Sequence, residues 1–144
     1  MDTYKKEETG MLKDIYKPTK YFEPYQPNPT GKICGDCSIR CIAVALGKTW
    51  EEAFDLLSAK AREMYYEMSE PAVVSEVLKD NGFTEMKVSV VKGKKRPTMV
   101  ELIKANPGRT IVGQVAHHWS ASRDGKVRDL WNSSERPLYK YWVK

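Results

Sequence analysis

The sequence predicts an α+β fold, with N-terminal helices packed on a C-terminal antiparallel sheet. Three observations carry this reading. Apolar residues recur at helical spacing between Ile39 and Met64. Residues 110–143 are instead rich in β-branched and aromatic residues, and Asp124-Gly125, a favoured two-residue hairpin turn, divides them. With 144 residues, 41% hydrophobic and 30% charged, the chain has the length and composition of one folded domain rather than of a disordered segment.

In chain order, residues 1–27 form an extended, partly flexible arm in which Pro18, Pro24 and Pro27 alternate with Lys and Tyr at neither the helical nor the strand period. The first dozen residues are expected to fray. The domain proper spans 28–144. Its first helix runs from Asp36 to Leu46, with Ile39, Ile42, Ala43 and Leu46 on one face and Gly47 as the stop. Thr49-Trp50-Glu51-Glu52 is a capping box for a second helix carrying Ala53, Leu56, Leu57, Ala61 and Met64. Ser69-Glu70-Pro71 starts a third helix, which Asn81-Gly82 ends. Thr84–Val91 alternates as a strand, and Thr98 with Glu101 caps a short fourth helix. Strands follow at Thr110–Ala116, His118–Arg123, Lys126–Trp131 and Leu138–Val143.

The net charge of +5 is unevenly placed: 11 Lys/Arg against 15 Asp/Glu in residues 1–86, and 13 against 4 in residues 87–144. A basic half suits an acidic partner, nucleic acid included, but no nucleic-acid motif accompanies it, and a solvated basic face is the plainer reading. No apolar run nears the ~18 residues of a membrane span, and residues 1–8 hold no apolar signal core. The expectation is a cytoplasmic protein with no membrane partner.

All three cysteines lie between positions 34 and 41. An odd count in one short cluster points to a reduced compartment and to chemistry or metal rather than to disulfides. Cys37 falls where the first helix begins, and unpaired N–H groups there favour a thiolate. Cys41 sits among apolar neighbours as a small hydrophobe, whereas Cys34 lies in the preceding loop. Zinc held by Cys34, Cys37, His117 and His118 is one possibility, but adjacent strand histidines point to opposite faces, so only one would reach. Nucleophilic catalysis needs a base and an orienting group. About the Asp124-Gly125 turn, Ser120 would pair with Asp129 and His118 with Trp131, placing His118 and Asp129 on one face and His117 with Asn132 on the other. The residues alone leave both pairs open.

The order Cys, His, Asp resembles the papain-like cysteine peptidases, and Cys34-Gly35-Asp36-Cys37 is similar to their C-G-x-C. The interval 118 − 37 = 81 residues suits a minimal version of that fold. Gly35-Asp36-Cys37-Ser38-Ile39-Arg40 and the stretch His118 to Trp142 resemble small C39-like proteins frequent in bacteria and their phages. The resemblance covers about residues 28–144. It implies Cys37 as nucleophile, His118 as general base and acid, Asp129 as holder of the imidazole, and Trp131 as a shield for the His–Asp bond. Gly31 stands where such enzymes carry the oxyanion glutamine, leaving Asn28, Lys32 or Gln26 to serve with the Cys37 N–H. The function implied is a thiol hydrolase or acyltransferase acting on an amide, peptide or thioester of a peptide or protein substrate, within a bacterial host cell if phage-encoded. No ATP loop, dinucleotide fingerprint or carboxylate metal cluster occurs, so no cofactor is implied. The rival is a catalytically silent module of the same fold that uses its basic half to engage an acidic protein or nucleic acid.

Overall fold

The computed structural model describes residues 14–144. The expectation of fraying before residue 13 lies outside the described residues. Four helices and six strands follow one another as β1 (Phe22–Pro24), α1 (Cys37–Leu46), α2 (Trp50–Met64), α3 (Pro71–Asp80), β2 (Thr84–Lys87), α4 (Met99–Ala105), β3 (Ile111–Val115), β4 (His118–Arg123), β5 (Lys126–Asp129) and β6 (Lys140–Val143). The α+β class holds, and both capping boxes form. Thr49 Oγ1 accepts from Glu52 N–H (3.1 Å) while Glu52 Oε1 accepts from Thr49 N–H (2.9 Å), and Thr98 and Glu101 repeat the exchange at α4.

The six strands form one sheet in the order β1-β5-β4-β3-β6-β2. The sheet is mixed rather than purely antiparallel, because β1 pairs in parallel with β5, Phe22 facing Val127 and Pro24 facing Asp129. Part of the arm is therefore strand, and Phe22 is completely buried. Proline at the end of an edge strand loses no ladder bond that a central strand would need. The second strand stops at Lys87 instead of Val91, since β6 offers it four partners, Lys140 to Val143, and none beyond. Val90 and Val91 lie exposed past that end.

Side-chain alternation divides the interior into two cores. On one face α1, α2 and α3 pack over Val112, Trp119, Ala121 and Trp142. On the other, Met99, Leu102 and Ile103 of α4 cover Phe22, Ile111, Val115, Val127 and Leu138. Helices thus flank the sheet on both sides, rather than one. Gly113 permits the close approach of α4: a Cβ there would stand 2.4 Å from Leu138 Cδ2 and 2.8 Å from Met99 Sδ. Among the described residues no helix is long and apolar enough to cross a membrane.

Candidate active site

The sequence of α1, Cys-Ser-Ile-Arg-Cys-Ile-Ala-Val-Ala-Leu, is almost wholly apolar and its middle is buried against β4. Its C-terminus closes on Gly47, in the left-handed conformation (φ 65°) that glycine adopts freely, and Arg123 Nη1 donates to the carbonyls of Val44 (3.4 Å) and Ala45 (3.2 Å). The helix is held there, and its other end brings Cys37 to the start of β4.

Three of the sequence-identified residues meet at that point. Cys37 shares one groove wall with His118 and Trp119, and the His118 ring and the Trp119 N–H both act on its thiol. His118 Nε2 lies 2.6 Å from Asp129 Oδ2, which leaves Nδ1 for the sulfur. Trp131 covers the imidazole, with ring centroids 4.7 Å apart. The expected β4–β5 register holds at Arg123–Lys126 and Ser122–Val127, but the ladder stops there. Ser120 and Asp129, and His118 and Trp131, are not ladder partners, yet Ser133 links the first pair and the rings of the second still meet.

Behind His118 lies a buried polar network that the triad reading missed. Arg40, 4% exposed, places Nη1 2.6 Å from Asp36 Oδ1 and Nε 3.1 Å from Asp129 Oδ1. Trp50 Nε1 donates to Asp36 Oδ2 (2.9 Å). Asp129 also accepts from the Leu130 N–H (2.7 Å) and from Ser133 Oγ (2.6 Å), which is itself 2.9 Å from Ser120 Oγ. So Asp129, 1% exposed, has four donors, as a buried carboxylate requires. The Gly-Asp-Cys-x-x-Arg pattern thereby acquires a physical meaning: Asp36 and Arg40, one helical turn apart, tie the thiol's helix to the carboxylate behind His118. A lone Arg between Ile39 and Cys41 was the signal for it.

Electrostatics separate the three thiols. Burial alone would push the Cys37 thiol up; the hydrogen bonds from His118 and the Trp119 N–H, with the charges of His118 and Arg40, outweigh it and hold the pKa below its ordinary value. Burial likewise opposes the charged form of His118, but the hydrogen bonds to Asp129 and Cys37 and their charges raise its pKa to about 9. Both shifts favour a thiolate–imidazolium pair. Burial pushes the Cys41 thiol well up. What burial Cys34 has, then the Asp36 carboxylate that accepts a hydrogen bond from it, raises that thiol too.

The other candidates do not join these residues, although His117 lines the groove beside Cys37. His117 is not on a strand: it is an exposed residue of the two-residue turn joining β3 to β4, with φ 54°. Asn132 Oδ1 accepts from the Ser134 N–H (3.0 Å), and among the described residues no hydrogen bond joins it to His117. The Cys34, Cys37, His117 and His118 set is not gathered either: among the described residues no group of three or more His, Cys, Asp or Glu is placed to hold a metal ion. Asn28, Gln26 and Lys32 belong to the loop before α1. Gln26 Nε2 donates to the Lys32 carbonyl (3.2 Å), Asn28 Oδ1 accepts from Thr30, and Lys32 is exposed. None of the three lines the groove of about 320 Å³ that opens beside Cys37, whose walls include Gly35, Ser38, Gln114, His118 and Trp119. The chain matches no family model, no curated protein and no solved structure, so the chemistry of this site rests on its own geometry.

Proposed function

We propose that this protein is a cysteine-dependent hydrolase or acyltransferase of minimal papain-like, C39-like fold, with Cys37, His118 and Asp129 as its triad. The observation that carries the reading is that Cys37, at the start of α1, shares a groove with His118, whose Nε2 is 2.6 Å from the buried Asp129 carboxylate. In this reading the Cys37 thiolate attacks the carbonyl carbon of an amide, peptide or thioester. His118, protonated and held by Asp129, delivers its proton to the departing amine or thiol. Water, or another nucleophile, deprotonated by His118 then releases the acyl group. The substrate is a peptide or protein segment that enters the groove, and the site of action is the cytoplasm.

Iodoacetamide alkylation, mapped by mass spectrometry across pH, tests this. Cys37 should label before Cys34 and Cys41, at pH values below the free-thiol pKa of ~8.5. His118→Ala should move the profile up toward that value, since the partner cation is gone. Asp129→Asn should weaken the shift by loosening the ring's orientation, and His117→Ala should leave it unchanged. Equal labelling of all three cysteines in the wild-type protein would instead favour the silent binding module.

A further inference from the structure

Besides the exposed His117, the groove beside Cys37 holds two polar groups that the triad and its network leave unused. Ser38, the second residue of α1, is 5% exposed and lines the groove. Its hydroxyl has no hydrogen-bond partner among the described residues. A buried hydroxyl left unpaired costs about 1–3 kcal/mol and calls for an explanation. Gln114 lies on β3 between Trp119 of β4 and Lys140 of β6. Its backbone carbonyl accepts from the Tyr139 N–H (2.8 Å), but its half-buried side-chain amide has no partner among the described residues. Gln114 also lines the same groove, at the point where a second cavity of about 430 Å³ begins.

A third set of donors lies with them. Asp36 occupies the N-cap position of the ten-residue α1 yet makes no side-chain cap bond. Its carboxylate faces Arg40 and Trp50 instead. The first-turn N–H groups of Cys37, Ser38 and Ile39 therefore have no acceptor among the described residues, and they carry the positive end of the helix dipole.

We propose that the Ser38 hydroxyl and the Gln114 side-chain amide, together with the Cys37 backbone N–H, form the oxyanion site for the carbonyl that Cys37 attacks. This assignment rests on the thiol-acyl reading above and replaces Asn28, Lys32 and Gln26 in that role. As the sulfur–carbon bond forms, the carbonyl π pair moves onto oxygen, and the negative charge meets these donors. When the intermediate collapses, the C=O bond re-forms and the leaving group departs with the proton from His118. The unpaired hydroxyl and amide acquire their partner in that intermediate, where a fixed donor accelerates reaction most.

Two probes of the full-length protein separate this role from thiolate formation. Iodoacetamide alkylates by displacement at a saturated carbon and creates no oxyanion, whereas acylation by p-nitrophenyl acetate does. Ser38→Ala and Gln114→Ala should each slow acylation of Cys37 by about 10- to 100-fold, leaving the rate and pH profile of alkylation as in wild type. Gln114→Glu keeps the side chain's size but removes its donors, so it should slow acylation at least as much as alanine. Acylation at the wild-type rate in the Ser38 and Gln114 variants would overturn the assignment while leaving the thiol-acyl reading intact. Equal slowing of both reactions would reduce the two residues to a structural role. A wild-type protein whose Cys37 is never acylated would overturn the reading and this assignment with it.

Discussion

The two ends of α1 are built in opposite ways. At the C-terminus, Gly47 and Arg123 satisfy the last carbonyls. At the N-terminus, the residue chemically suited to cap the helix turns its carboxylate away toward Arg40 and Trp50. Helices α2 and α4 show that the chain builds complete N-terminal caps elsewhere, each with a Thr and a Glu. The difference teaches where stability has been given up. Open N–H groups beside Cys37 disfavour the resting fold and favour negative charge on a thiolate or on an oxygen bound there. A capping box at the same place would stabilise the helix and block the groove's donors.

The largest way to break this contrast is to remove Arg40. It is the only cation bridging Asp36 and Asp129 among the described residues, and all three side chains are nearly fully buried. Arg40→Met fills similar volume but strips the buried Asp36 of its cation and leaves Asp129 with the His118 cation alone. Removing one partner of a buried pair costs about 3–5 kcal/mol, and urea unfolding should show a loss in that range. A loss no greater than that from deleting a surface cap would mean that the network does not hold the N-terminal end of α1 in place.

The sequence disclosed what is local. Thr49/Glu52, Thr98/Glu101 and Asp124-Gly125 act within four residues, and the helices and the β4–β5 turn follow from them. Asp36 and Arg40 stand at i and i+4 in the Gly-Asp-Cys-x-x-Arg stretch, but neither their pairing nor their common partner was read from it: Asp129 lies 89 residues beyond Arg40. Strand β1 escaped because three residues, one of them proline, have no period of their own and become strand only against Val127–Asp129. The placement of His117 escaped for another reason. A two-residue turn with positive φ usually announces itself by Gly or Asn, and Ala116-His117 gives no such sign. That turn takes His117 out of the strand alternation, while His118 begins β4 and reaches Asp129. Ser38 and Gln114 carried no sequence signal, because an unpaired hydroxyl or amide is visible only once its surroundings are known.

The caps offer a smaller test, and one that sharpens the comparison. Thr49→Ala and Thr98→Ala each remove an acceptor from a first-turn N–H. Each should cost about 1 kcal/mol of unfolding free energy without altering the pH profile of Cys37 alkylation. If either variant did shift that profile, the electrostatics of the thiol would extend beyond the N-terminal end of α1, and the contrast between capped and open helix ends would lose its functional meaning.

The smallest expected effect concerns the proton shared at the open end. His118, raised from 6.5 to about 9, by itself contributes stability that is fully present below pH 6.5 and is lost as pH rises through 9. Cys37, lowered from the ordinary thiol value, contributes stability that is present above that value and is lost as pH falls through its folded pKa. At a pH above the folded Cys37 pKa and between 6.5 and 9, the folded chain carries one proton on His118, and the unfolded chain carries one on Cys37. The numbers of bound protons nearly match, so the two slopes oppose one another and the pair adds little pH dependence of its own. Cys37→Ser removes the thiol's half of the exchange. His118 still bonds to Asp129, so its pKa stays raised, though less than before. The variant should then lose stability as pH climbs from 6.5 toward 9, by an amount on the order of 1 kcal/mol relative to wild type. Urea unfolding of both proteins across that range measures the difference. Parallel stability curves would mean that Cys37 and His118 do not exchange a proton on folding, and that the open end of α1 is no more charged at rest than its capped counterparts.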